Sequence, residues 1–141
     1  MKKFFMTLAI LALALINVQA SAQVQIDYGE SKIYSQEDMD ESIALIQEQF
    51  AKWQGCEMYN LRYAGDECNS AENVKWLNEL IEARGYKDKC TDCIEFLSDF
   101  YVSQDAQKYG LTLNPDSEYK DWQWWLARTD KGEWELLTWG Y

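Results

Sequence analysis

The chain has 141 residues, with 13 Lys and Arg against 24 Asp and Glu, no His, four Cys, one Pro and seven Trp. That length fits one domain of ordinary size. The absence of His excludes a Ser-His-Asp triad, a His-ligated zinc and any imidazole acid–base group, and the acid excess leaves no basic footprint for nucleic acid.

Lys2 and Lys3 precede an apolar run over 4–16 that is broken only by Thr7. A small, polar stretch follows and ends in Ala20-Ser21-Ala22-Gln23. These three parts predict a cleavable secretory signal peptide over residues 1–22, cut after Ala22 or Ala20. The apolar run is too short to span a membrane comfortably. The first cysteine is Cys56, so no lipidated cysteine follows the cut. The expected product is free in the periplasm or outside the cell, with no membrane insertion. Cleavage removes two lysines and no acid, which makes the mature chain more acidic still. Such acidity mainly confers solubility.

Residues 23–33 read as a flexible lead-in with room for a short strand at 24–28. Residues 34–141 read as a single α+β domain. In the first helix, 36–53, Met39, Ile43, Ile46, Phe50 and Trp53 form one apolar stripe. Ser35 is placed to cap it, with Asp38 at the capping-box position and Tyr34 and Met39 as a staple. Glu37, Asp38, Asp40 and Glu41 suit the positive end of the helix dipole, and Gly55 offers a left-handed stop. The second helix, 71–84, buries Val74, Leu77, Leu80 and Ile81, starts at Asn69 or Ser70 and ends at Gly85.

Four strands are expected at 56–64, 93–102, 121–128 and 133–140. The last two form a hairpin whose turn, Thr129-Asp130-Lys131-Gly132, reads as type I with Gly132 left-handed. That register sets Arg128 opposite Trp134, Leu126 opposite Leu136 and Trp124 opposite Thr138. Trp122, Trp124, Leu126, Trp134 and Leu136 then share one face. Gln123, Trp125, Ala127, Glu135, Leu137 and Trp139 share the other. Neither face is cleanly polar, which suits a curved sheet with the long helix on its concave side and a second contact outside. The expected fold is therefore a long N-terminal helix on a curved, mainly antiparallel four-stranded sheet, with the second helix between strands one and two.

Several segments carry a resemblance. They are Ser98-Asp99-Phe100, Asn114-Pro115-Asp116-Ser117-Glu118-Tyr119, Trp122-Gln123-Trp124-Trp125-Leu126-Ala127-Arg128 and the ending Trp134-Glu135-Leu136-Leu137-Thr138-Trp139-Gly140-Tyr141. Over about residues 34–141 the chain resembles a group of small secreted bacterial proteins with no assigned activity. The final hairpin is also similar to the end of nuclear-transport-factor-2-like domains, which implies a cystatin-like roll. Catalytic members of that superfamily commonly use an Asp–His or Tyr–Asp site in the cone. This chain has no His, so the resemblance implies a fold and transfers no active site.

Four groups of residues could carry chemistry. In an oxidising compartment Cys56, Cys68, Cys90 and Cys93 are expected to form disulfides, with three connectivities open. A Cys68–Cys90 bridge would close a loop of about 23 residues around the second helix, worth roughly 3 kcal/mol in the chain-entropy model. Cys90-Thr91-Asp92-Cys93 has redox spacing without a thioredoxin-like context, and Cys56 and Cys68 are too far apart in sequence for a zinc knuckle. The second group is Trp122, Trp124, Trp125, Trp134 and Trp139, with Tyr101. Core packing is the plain reading of these rings and a stacking surface for a glycan is the functional one, with a cation–π contact expected between Arg128 and Trp134. In the long connection 103–120, the oxygens of Asn114, Asp116 and Glu118 would suit a loose calcium site, while an Asx-Pro turn is the plainer reading. Asp99, flanked by apolar residues and with Glu95, Leu97 and Tyr101 on its face, is the one catalytic candidate.

The function expected from these features is a secreted, non-catalytic binding module. Its ligand is a glycan, a small apolar molecule or a protein, and it needs no metal or cofactor. The alternative is a small isomerase- or hydrolase-like enzyme of the roll superfamily, using Asp99 with Tyr59, Tyr63 or Tyr101. A third option is an acidic partner for a basic protein.

Overall fold

The computed structural model describes residues 23–141, and the expected signal peptide, 1–22, lies outside the described residues. The elements are β1 (Gln25–Asp27), α1 (Gln36–Phe50), β2 (Cys56–Tyr63), α2 (Ala71–Ala83), β3 (Asp92–Val102), β4 (Ser117–Arg128) and β5 (Glu135–Gly140), with 3₁₀ turns at Asp66–Cys68 and Ala106–Tyr109. The class is α+β, but the expected four-stranded antiparallel sheet is a five-stranded mixed one in the order β1-β2-β3-β4-β5. The extra strand comes from the lead-in, where β1 pairs parallel with β2 and Ile26 lies beside Leu61. Parallel neighbours need a crossover, and α1 supplies it. No helix among the described residues is long and apolar enough to cross a membrane.

The lead-in is fixed by polar contacts rather than left loose. Asp66 accepts from the Ser31 hydroxyl at 2.6 Å, the Lys32 N–H at 2.8 Å and the Tyr63 hydroxyl at 2.8 Å. These donors, led by Ser31, hold its carboxyl below the usual carboxylate range. Tyr34 donates its hydroxyl to the Cys93 carbonyl at 2.5 Å.

The capping box of α1 forms as expected. Asp38 N–H donates to Ser35 Oγ at 3.1 Å, and Ser35 N–H donates to Asp38 Oδ2 at 3.0 Å. Replacing Ser35 with alanine leaves the Asp38 N–H without its acceptor. We expect a loss of about 1 kcal/mol in urea unfolding, with the m-value unchanged. An unchanged midpoint would mean that water replaces the cap at no cost.

The first helix is shorter than its apolar stripe. It ends at Phe50, and the chain tightens so that the Trp53 N–H reaches the Phe50 carbonyl at 2.9 Å. Trp53 then turns back onto Phe50 and Phe100, with ring centroids 5.4 and 6.0 Å away. Gly55 completes the turn at φ +87°, and a Cβ there would meet the Ala106 backbone at 2.9 Å.

On the face of the sheet that holds α1, Met39, Ile43, Ile46 and Phe50 join Leu61, Ile94, Phe96, Phe100, Trp124 and Leu126 in the core. On the opposite face, α2 covers one end. It is capped by Ser70, whose Oγ accepts from the Asn73 N–H at 3.1 Å. Trp76 stands edge-on to Trp125 at 5.3 Å, and Arg84 donates to the Leu137 carbonyl at 2.5 Å. The outer face is therefore only partly covered, and the inner face is covered by α1 except at the end that carries Trp139.

Three bulges bend the sheet, and each alters a sequence expectation. The first is at Tyr59 in β2 and the second at Lys120–Asp121 in β4, where Asp121 adopts φ 56°. The second bulge lets β4 begin at Ser117 rather than 121, so the connection before it shrinks to 103–116. The third is at Leu137 in β5. Leu126 pairs with Leu136 as expected, but Trp125 pairs with Thr138 and Trp124 with Trp139. Trp139 thus moves to the α1 face, where it meets Trp53 and Trp124 at 6.2 and 5.9 Å. In the hairpin turn the left-handed residue is Lys131, at φ 59°, and not Gly132.

Candidate functional site

The hairpin tryptophans fall into two groups. Trp124, Trp125 and Trp134 are buried and leave no face for a ligand. Trp124 is 0% exposed and donates its indole N–H to Ser98 Oγ at 2.8 Å. Trp125 donates to Gln123 Oε1 at 3.1 Å, and Trp134 to Asp38 Oδ1 at 3.3 Å. The expected cation–π contact is present, with the Arg128 guanidinium 4.4 Å from the Trp134 centroid. Arg128 also donates to Asp38 at 2.6 Å and to Asp92 at 3.3 Å. Burial alone would raise the Asp38 carboxyl. The Ser35 N–H, the Trp134 indole and Arg128 outweigh that and hold it below its ordinary value.

Trp122 and Trp139 stand instead at the rim, where the aromatic core reaches the surface. Trp122 is edge-on to four rings: Tyr141 at 5.1 Å, Phe100 at 5.5 Å, Tyr119 at 5.6 Å and Trp53 at 6.0 Å. Its buried indole N–H has no hydrogen-bond partner among the described residues. Tyr119 stacks on Phe100 at 5.1 Å and on Tyr141 at 6.3 Å. Trp139 is 38% exposed and Tyr141 is 75% exposed. The result is one continuous run of rings from Phe50 in the core to Tyr141 at the surface.

Sequence reasoning did not single out Trp53, Tyr119 and Tyr141 as rim residues. Trp53 was legible as the last member of the α1 stripe, and the two tyrosines lie within the segments that carry the resemblance. Tyr101, which was singled out, is elsewhere. Its hydroxyl donates to the Asp116 carboxylate, which raises the phenol pKa.

Asp99 is not in the concavity. Its neighbours Ser98 and Phe100 point to the α1 side, and it occupies the outer face between the bulges of β2 and β4. Its Oδ1 accepts from the Asp121 N–H at 2.9 Å. Its Oδ2 accepts from Asn60 at 3.3 Å and Arg62 at 3.4 Å, and Arg62 also pairs with Asp121. All of this secures the backbone at Asp121, whose positive φ needs support.

The proposed calcium ligands diverge. The Asn114 N–H donates to the Tyr119 hydroxyl at 2.9 Å, Asp116 takes Tyr101, and Glu118 lies 3.8 Å from Lys120. No group of three or more acids or cysteines among the described residues is arranged to hold a metal ion.

All four cysteines are free thiols. Cys68 lies against Cys93, not against the expected partner Cys90. The Cys93 thiol is 3.2 Å from the Cys68 carbonyl, and the Cys68 thiol is 3.9 Å from the Cys93 carbonyl. Cys90 is held by Asn78, which accepts from its N–H at 2.7 Å and donates to its carbonyl at 3.1 Å. Burial, then the neighbouring Cys68 and Cys90, pushes the Cys93 thiol up to about 12. Burial likewise raises Cys90, which disfavours the thiolate form at this CxxC pair.

A groove of about 630 Å³ runs along α2 past Asn69, Lys75, Asn78, Glu79, Lys89 and Thr91, and is open. Comparisons with protein-family models, curated proteins and solved structures found no match to this chain.

Proposed function

We propose that the chain is a secreted, non-catalytic binding module. It takes a glycan, or another ligand with a flat apolar face, on the rim formed by Trp139, Tyr141, Tyr119, Trp122 and Trp53. The observation that carries this reading is the exposure of Trp139 and Tyr141, at 38% and 75%, while both stay stacked into the aromatic core. Rings held in this way are pre-organised, so a ligand stacking on them pays little ordering entropy. Sugar rings present apolar C–H faces that suit such a surface. Export through the signal peptide at 1–22 would bring the module to extracellular ligands.

The same reading keeps the resemblance to small secreted proteins with a cystatin-like roll. In this roll Phe96, Phe100 and Trp124 fill the concavity, which moves the ligand to the rim. The enzyme alternative requires Asp99 inside that concavity. Asp99 is on the other face with both oxygens engaged, so the binding reading is the better supported of the two.

The test is a thermal-shift series on oxidised residues 23–141. The probes are cello-, xylo-, malto- and manno-oligosaccharides, cholate, calcium and basic peptides. A stacking ligand should stabilise by about 2.7 kcal/mol at 100 times its dissociation constant. The shift should be insensitive to salt, and Trp139→Ala should weaken binding about tenfold. No shift with sugars or cholate, or a shift that survives the Trp139→Ala, Tyr141→Ala double replacement, would overturn the proposal.

A further inference from the structure

Three of the four thiols converge where α2 meets the start of β3. Cys68, Cys90 and Cys93 are 5%, 6% and 0% exposed. Their placement differs in one respect. Cys68 and Cys93 each bring the thiol to the other's carbonyl, at 3.9 and 3.2 Å. The Cys90 thiol instead turns toward the Val74 carbonyl of α2 at 3.9 Å. The local backbone is braced to keep this pairing. Asn69 Oδ1 accepts from the Cys93 N–H at 3.1 Å, and Asn73 donates to the Cys68 carbonyl at 3.0 Å. Cys56 begins β2, opposite Val102 at the far end of β3.

From this arrangement we infer that Cys68 and Cys93 are joined by a disulfide during oxidative folding, while Cys90 remains a buried thiol. Two S–H bonds break and one S–S bond forms. The two protons and the two electrons pass to a disulfide oxidant, whose S–S bond breaks and which leaves as two thiols. The first step is attack on that oxidant by one cysteine, giving a mixed disulfide that the second cysteine resolves. The folded state is a poor substrate for this reaction, because Cys68 and Cys93 are 5% and 0% exposed and an oxidant in solution cannot reach them. Oxidation therefore belongs to the stage before the core closes. The bridge would fasten the foot of α2 to the central strand β3, across a loop that contains the whole of α2. A link of that span should raise the melting temperature by about 10 °C.

The experiment refolds residues 23–141 from denaturant in a buffer of oxidised and reduced glutathione. Remaining thiols are then blocked with iodoacetamide in denaturant. Digestion with trypsin and an endoprotease cutting before aspartate separates Cys90-Thr91 from Asp92-Cys93, so the two candidate partners of Cys68 fall on different peptides. The expected result is one linked pair, Cys68 with Cys93, and alkylated Cys56 and Cys90. Cys90→Ser should keep the link and the higher melting temperature. Incubating the reduced, folded protein in the same buffer should oxidise it far more slowly. A Cys68–Cys90 or Cys90–Cys93 link would overturn the inference, as would recovery of four alkylated cysteines.

Discussion

Replacing Trp124 with alanine should lower the unfolding free energy by about 3–5 kcal/mol, the range for emptying a buried aromatic site. The ring is 0% exposed and sits among Trp53 at 5.4 Å, Trp139 at 5.9 Å and Phe50 at 6.4 Å. Its removal opens a cavity that rigid rings cannot close by small rotamer changes. It also leaves Ser98, itself 0% exposed, without the indole donor. A domain of this kind has only about 5–15 kcal/mol in total, so a measurable unfolded population at ambient temperature is expected. Guanidinium unfolding followed by far-ultraviolet dichroism measures the effect. Trp139→Ala in the same assay should cost much less, because that ring is already 38% exposed. Equal losses would mean that core and rim are not distinct.

Arg128 is the second position with a large expected effect. Its side chain is 12% exposed and joins Asp38 on α1 to Asp92 on β3, under the rings of Trp134 and Tyr34. Arg128→Met should destabilise by about 3 kcal/mol at neutral pH, because it strands the Asp38 charge in a site only 19% exposed. The pH dependence gives the sign. Asp38 titrates lower in the folded state than in the unfolded chain, where its pKa is about 3.9. Its contribution is fully present above that value and is lost as pH falls through the folded-state pKa. The Arg128→Met protein should therefore lose less stability on acidification than the parent. Adding Asp38→Asn should recover part of the neutral-pH loss. Parallel acid unfolding curves for parent and variant would contradict this account.

Periodicity made the helices legible. The stripe of Met39, Ile43, Ile46 and Phe50 is the buried face of α1, and Ser35 with Asp38 marks its start. Only the local half of the role of Asp38 could be read that way. Its contact with Arg128 spans 90 positions, and no local pattern reports it. The strands were legible as segments and less so in register. Alternation is carried along a strand until one extra residue reverses it. Leu137 is such a residue, and it moves Trp139 from the outer face to the inner one. The bulges at Tyr59 and Asp121 lie in the strands on either side of Asp99, which keeps its own alternation and braces the backbone of the second. The short strand allowed at 24–28 is present as β1, but three residues are too few to show that it pairs with β2. The cysteine neighbourhood is hard to read for a related reason. Cys90 and Cys93 are three residues apart, and only the start of β3 decides which of them faces Cys68.

The central claim is that the ligand meets the rim and not the core. It is tested most directly by the indole N–H signals of the seven tryptophans in a two-dimensional nitrogen–proton spectrum. The protein would be titrated with the same oligosaccharides and with cholate. The Trp139 and Trp122 signals should move together and saturate, while those of Trp76, Trp124, Trp125 and Trp134 stay in place. Movement confined to Trp76 and Trp125, or no movement with any of these probes, would contradict the account.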